Sequence, residues 1–119
     1  MARLYSFTAR SRLPVIYANN AHGCWDGDAP AHVARACAGP GGDVVRTVAP
    51  APGDRFLFKP RYSGFDGTPL ARVLGDLQAT RLVLAGEATE MYVAQTAIDA
   101  RGQGFQVTVL GDACATVEP

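Results

Sequence analysis

The chain reads as an α/β domain, a parallel β-sheet covered by helices, and three observations predict this. Four short runs, "PVIYAN" (14–19), "DRFLFK" (54–59), "RLVLAG" (81–86) and "FQVTVLGD" (105–112), are nearly continuous in β-branched, aromatic and aliphatic residues. Such runs suit strands buried on both faces, as in a parallel sheet. Stretches with helix-terminus signals separate them, and strand–helix alternation builds right-handed βαβ units.

Taken in order, "ARLYSFTARSR" reads as the tail of a helix leading into the first strand. "APAHVARACAG" (29–39) has Pro30 near its start and Gly39 just past its end, the usual asymmetry of helix termini. "VVRTVAP" (44–50) reads as extended, an edge strand or a loop, and "GPGG" (39–42) precedes no expected helix. "TPLARVLGDLQA" (68–79) offers Thr68 as N-cap and Pro69 at the first helical position. Its Leu70, Val73, Leu74 and Leu77 recur at i, i+3, i+4, i+7 and form one apolar stripe. "EMYVAQTAIDARGQG" (90–104) is a small-residue helix that stops at glycines. The reading opens on the close of a helix and ends at "DACATVEP", just after a strand. Apolar surface left uncovered there is expected to need more chain or a partner.

With 119 residues, a single domain is expected. Hydrophobic content of 48% with 18% charged residues describes a globular chain. Eleven basic and eleven acidic residues cancel, and no basic stripe interleaves with aromatics, so neither nucleic acid nor an anionic membrane is expected as a partner. No apolar run approaches the roughly 18 residues of a membrane span. "MARLYSFTARSRLP" lacks the apolar core of a signal peptide. Cys24, Cys37 and Cys114 form no CxxC pair, which fits reduced thiols in a cytoplasm.

Ligands of open α/β sheets sit beyond the carboxyl ends of the strands. That edge collects Asn19, Asn20, His22, Trp25, Asp26 and Asp28 after the first strand, and Lys59, Arg61, Tyr62, Phe65 and Asp66 after the second. Glu87, Ala88, Thr89, Glu90 and Tyr92 follow the third, and Asp112 and Cys114 the fourth. Each has a bland reading beside the functional one. On sequence alone Lys59 before Pro60 reads more readily as a solvated lysine than as a catalytic one, and Tyr92 reads blandly as an aromatic packed at a helix start. His22 with Asp26 and Asp28 reads as a capped turn, since no second histidine stands at ligand spacing. His32 reads as an unremarkable residue on a helix face, and "RGQGF" ends a helix rather than opening one, unlike a dinucleotide fingerprint.

"VIYANNAHGCWDGD", "FKPRYSGFDGTPL" and "RLVLAGEATEMYVAQTAIDARGQGFQVTVLGDACATVEP" together resemble, in spacing and order, the isochorismatase-like or cysteine hydrolase superfamily. The resemblance covers nearly the whole chain. It implies a Rossmann-like three-layer α/β/α fold with a parallel sheet, here lacking the family's N-terminal strand and C-terminal helix, over residues 1–119. It implies hydrolysis of small-molecule amide or C–N bonds, no cofactor, and oligomers formed with itself or a related chain. Active amidases of the superfamily use an Asp–Lys–Cys triad. The resemblance puts the lysine at Lys59 and the nucleophile position at Tyr92, where the pattern "GTATEMCVAQTA" has cysteine. It puts oxyanion-hole N–H groups at Ala88 and Tyr92, with a peptide bond into Ala88 that is often cis. Asn20, His22, Tyr62 and Phe65 fall on the substrate side. No metal is implied, because Asn20 stands where nicotinamidases have a carboxylate. The general-base aspartate belongs to an N-terminal strand that this reading does not find.

The chemistry of that replacement is direct. The amidase reaction needs a thiolate, formed where a lysine and a helix N-terminus lower the cysteine pKa. A phenol titrates near 10, against about 8.5 for a thiol, and carries its oxygen much farther from the backbone. Tyr92 thus predicts a degenerate hydrolase with little activity. A working enzyme with a non-standard site, including rescue by Cys24 or Cys114, and a non-catalytic assembly module are the alternatives.

Overall fold

A computed structural model describes residues 8 and 10–116, and the chain divides into two compact units, Met1–Phe58 and Lys59–Pro119. The observed class is α/β. In chain order the elements are β1 (Ile16–Asn20), α1 (Ala29–Ala38), α2 (Gly42–Val48), β2 (Arg55–Lys59), α3 (Leu70–Asp76), β3 (Arg81–Glu87), a π-helical turn (Thr89–Val93), α4 (Ala94–Gly102) and β4 (Gln106–Ala115). The helical tail expected over residues 2–12 lies partly outside the described residues; Thr8, Arg10 and Ser11 are helical. Among the described residues no helix is long and apolar enough to cross a membrane.

In the first unit β1 pairs with β2. Asp28 caps α1 by accepting the Ala31 N–H at 3.0 Å, and Pro30 occupies the first turn, where its missing N–H costs nothing. The segment expected to be extended over 44–50 is instead helical as far as Val48, so a helix does follow "GPGG". Val44, Val45, Thr47 and Val48 favour strands by their branching, but contacts with α1 override that preference. Gly41 turns the chain in the left-handed region at φ 76°. Gly42 fits against α1 so closely that a Cβ would lie 1.9 Å from the Cys37 carbonyl oxygen. The Arg46 guanidinium donates to that carbonyl at 2.9 Å and pairs with Asp43.

In the second unit β3 and β4 are parallel, with Leu82 opposite Val107, Leu84 opposite Val109, and Gly86 opposite Cys114. The register breaks between Leu84 and Gly86, so β4 bulges where β3 nears its end. The four predicted strands all exist; among the described residues their ladders are two pairs, β1–β2 and β3–β4, rather than one four-stranded ladder. The predicted stripe of α3 is observed, with Leu70 and Leu74 buried. The helix starts one residue later than expected: Pro69 is the N-cap and Leu70 the first helical residue. Thr68 still serves that end, its hydroxyl accepting the Leu70 N–H at 3.2 Å and donating to the Gly64 carbonyl. The core here is built of small side chains around Ala88, Val93 and Ala100, with Leu70 and Leu74.

Candidate active site

The sharpest concentration of chemistry lies in the second unit, around Lys59. This lysine closes β2 and is 5% exposed, one of two buried polar residues among the described residues, with Ser63 at 2%. Pro60 follows and adds no donor of its own. The lysine Nζ donates to the Arg61 carbonyl at 2.9 Å and stands 4.0 Å from the centroid of the Tyr92 ring. An ammonium over an aromatic face is attracted by the ring quadrupole, the more so when water is excluded. Burial lowers the Lys59 pKa from its ordinary value, because the charged form loses hydration.

Tyr92 is presented by the elbow between β3 and α4. Gly86, at φ 135°, takes a backbone conformation that side-chain-bearing residues avoid, and the Glu87–Ala88 peptide is cis. Ala88 is fully buried, and its carbonyl accepts from the N–H groups of Met91 at 3.3 Å and Val93 at 3.2 Å. The chain then makes a π-helical turn over Thr89–Val93 before settling into α4. Such turns recur where a helix must re-aim a side chain. The Thr89 hydroxyl donates to the Ala115 carbonyl at 2.9 Å, fastening the elbow to the end of β4.

The loop after Lys59 completes the cluster. Tyr62, 55% exposed, meets the Tyr92 ring edge-to-face at 5.6 Å. Arg61 and Asp66 pair across the loop at 3.0 Å, an exposed bridge worth little to stability. Phe65 makes its ring contact with Phe105 at 6.1 Å. Two residues that the sequence reading did not single out hold this loop. Thr96 on α4 donates to the Tyr92 carbonyl at 2.7 Å and accepts the Gly64 N–H at 2.9 Å, while the Ser63 hydroxyl accepts the Phe65 N–H at 3.1 Å. The turn-rich stretch "SGFDGT" signalled a structured loop, but nothing local marks Thr96 as its anchor.

The structure thus brings Lys59, Tyr62, Ala88 and Tyr92 together in one unit. Asn20 and His22 belong to the other. Asn20 closes β1, and the His22 ring stacks on His32 at 6.2 Å. His32, read from sequence as unremarkable, meets Phe56 and Phe58 edge-on at 5.8 and 5.3 Å. Its pKa is lowered by burial, then by Arg35 and His22, against a smaller upward pull from Asp26. Among the described residues no three metal-ligating side chains gather at one point. Cys24, Cys37 and Cys114 are free thiols, half-buried.

Chemically, Lys59 at this position offers a fixed positive charge and Tyr92 offers a phenol whose ring face is already covered. A family model for the isochorismatase domain matches residues 2–119. An uncharacterized isochorismatase family protein of Bacillus subtilis, YaaI, is 32% identical over 104 residues, 87% of this chain and 57% of that protein. The ureidoacrylate amidohydrolase RutB of Methylobacterium radiotolerans is 40% identical over 76 residues, 64% of this chain and 30% of its own length. Among solved structures, the N-carbamoylsarcosine amidase of Thermoplasma acidophilum superposes with a TM-score of 0.76 at 29% identity, over 99% of this chain and 69% of that one. The chain therefore spans little more than half the length of YaaI and under a third of RutB.

Proposed function

The chain belongs to the isochorismatase family, and from that premise we propose that its second unit carries a small-molecule hydrolase site in degenerate form, with little or no turnover. The observation that carries the reading is the Lys59 ammonium lying 4.0 Å over the Tyr92 ring. In a thiol amidase that charge would stand beside a sulfur anion and hold it ionised. Here it faces an arene, and the elbow presents a phenol whose oxygen lies a ring's length beyond the place a thiol would take. An acyl group attached there would miss backbone N–H groups at Ala88 and Tyr92 that could stabilise a tetrahedral oxyanion. Lys59 is then an anchoring charge, Tyr92 a plug, and Tyr62 the exposed lip.

Relatives named for ureidoacrylate and N-carbamoylsarcosine give the compounds to test. The purified chain should leave both unhydrolysed above background. Turnover on the order of 1 s⁻¹ or faster, an ordinary enzymatic rate, would overturn the reading. Tyr92→Cys should create a thiol whose alkylation midpoint lies below the usual value of about 8.5. A midpoint at or above that value would mean that this elbow is not the nucleophile position.

One observation favours a second reading, a non-catalytic module that pairs with itself or a related chain. Val83, Ile98 and Val109 are 59%, 64% and 42% exposed in the second unit. Light scattering that shows a stable monomer at micromolar concentration would remove it.

A further inference from the structure

The first unit carries an arrangement that the hydrolase reading does not use, and the inference from it stands whether or not that reading does. The loop between β1 and α1 leaves buried Ala21 and makes a tight turn, the Cys24 N–H donating to the Ala21 carbonyl at 2.9 Å. His22 sits in the left-handed region at φ 50°, followed by Gly23 at 79°. From there its imidazole lies nearly parallel to that of His32 on α1, 9° from coplanar and 6.2 Å away. Three residues after His22, Trp25 is 60% exposed, and Asp26 accepts the Asp28 N–H at 3.1 Å. One short loop thus carries a base that stacks on His32 and an acid that acts on it electrostatically.

We propose that this loop is a proton-operated switch: with His32 neutral, the loop is held by the His22–His32 stack, and with His32 protonated it exchanges His22 for the Asp26 carboxylate, carrying Trp25 with it. The charges around His32 fix the direction. Arg35 on its own helix and His22 on the loop oppose its proton, and Asp26 favours it. Asp28 is engaged at the helix start, its side chain on the Ala31 N–H and its carbonyl on the His32 N–H. From β2, Phe56 and Phe58 face the ring, and strand alternation turns Arg55 to the other side. Tyr17 of β1 stacks on Phe56, with its hydroxyl donating to the Val48 carbonyl. On α2, Arg46 and Asp43 pair with each other. A carboxylate attracts an imidazolium but gains nothing from a neutral imidazole, so one proton on His32 shifts the preference from His22 towards Asp26. The loop lies at the carboxyl end of β1, the edge where open α/β sheets take ligands, so acidification re-presents Trp25 there.

The chain has two histidines and one tryptophan, so its own reporters suffice. Imidazole resonances and Trp25 emission are followed from pH 7.5 to 5 in the whole chain, with circular dichroism to confirm that it stays folded. The emission change should share the His32 midpoint, and that midpoint should lie below 6.5. His22→Gln should raise it, by an upper bound of roughly half a pH unit for a unit charge at that separation in a water-like medium. Asp26→Asn should lower it and abolish the emission change. Emission that stays flat while His32 titrates, or that follows the same curve in His32→Asn, overturns the proposal. The unmodified chain decides this even if a variant misfolds.

Discussion

A double-mutant cycle on Lys59 and Tyr92 gives the strictest account of the site. Tyr92→Leu removes the ring face and Lys59→Met removes the charge while keeping a long, apolar side chain. Exposed cation–π pairs are worth about 0.5–1 kcal/mol, and desolvated ones about 2. Here the lysine is 5% exposed, the tyrosine is half-buried, and the separation is 4.0 Å. A coupling of about 1–2 kcal/mol follows, a factor of roughly ten in the folding equilibrium. The single changes will not report it cleanly. Tyr92→Leu also loses the edge contact with Tyr62, and Lys59→Met leaves the Arg61 carbonyl without its donor. Each cost appears on both sides of the cycle and cancels. The assay is urea unfolding of the four proteins at pH 7 by circular dichroism. Additive changes, within about 0.3 kcal/mol, would mean that the ammonium over the ring contributes nothing and that Tyr92 does not hold Lys59.

Because burial lowers the Lys59 pKa, the unfolded chain binds this proton more tightly between the lowered value and 10.5. Stability of the wild type relative to Lys59→Met should therefore increase as pH rises through that window towards 10.5; a pH-independent difference in urea midpoints would contradict it. Thr96→Val keeps the shape and removes the hydroxyl that accepts the buried Gly64 N–H, so it should cost about 1–3 kcal/mol in urea unfolding. Thr96→Ser should cost less than about 1 kcal/mol, and a larger loss in the serine than in the valine variant would show that the methyl, not the bond, matters. Gly42→Ala, a change that usually favours a helix, should destabilise by about 1–3 kcal/mol or more. The reason is the 1.9 Å contact between its Cβ and the Cys37 carbonyl oxygen; a thermal scan showing no loss would refute that packing.

The strands were legible because their signal is local: runs such as "RFLFK" and "RLVLAGE" are apolar in themselves, and turn residues mark their ends. What failed was decided at a distance. Val44, Val45, Thr47 and Val48 form a helix because Arg46 reaches a carbonyl nine residues back and Gly42 lies against it. No window over 44–50 contains Cys37. Lys59 could be picked out from its place at a strand end. That an aromatic face covers it depends on the π-helical turn that aims Tyr92, for which "TEMYV" has no propensity signature. His32 was discounted because helix periodicity says nothing about Phe56, Phe58 and His22 converging from a strand and a loop.

Burying a lysine is costly unless something takes the place of water. The carbonyl of Arg61 and the face of Tyr92 are neutral, so they hold an ammonium without accepting its proton. If that is the role of position 92, the ring matters and the hydroxyl does not. Tyr92→Phe should then stay within about 0.5 kcal/mol of the wild type, as a change that leaves packing and pairing intact. It should also keep nearly all of the coupling to Lys59, since phenylalanine and tyrosine offer similar faces to a cation. Tyr92→Leu should not. The alternative, a phenol retained for acid–base or nucleophilic work, makes the opposite demand, because removing the oxygen would release Lys59 from a charged partner. Urea unfolding of Tyr92→Phe in both lysine backgrounds separates the two. A phenylalanine variant as weakly coupled as the leucine variant would mean that Lys59 answers to the phenol oxygen, and the plug would have to be reconsidered as a reactive group.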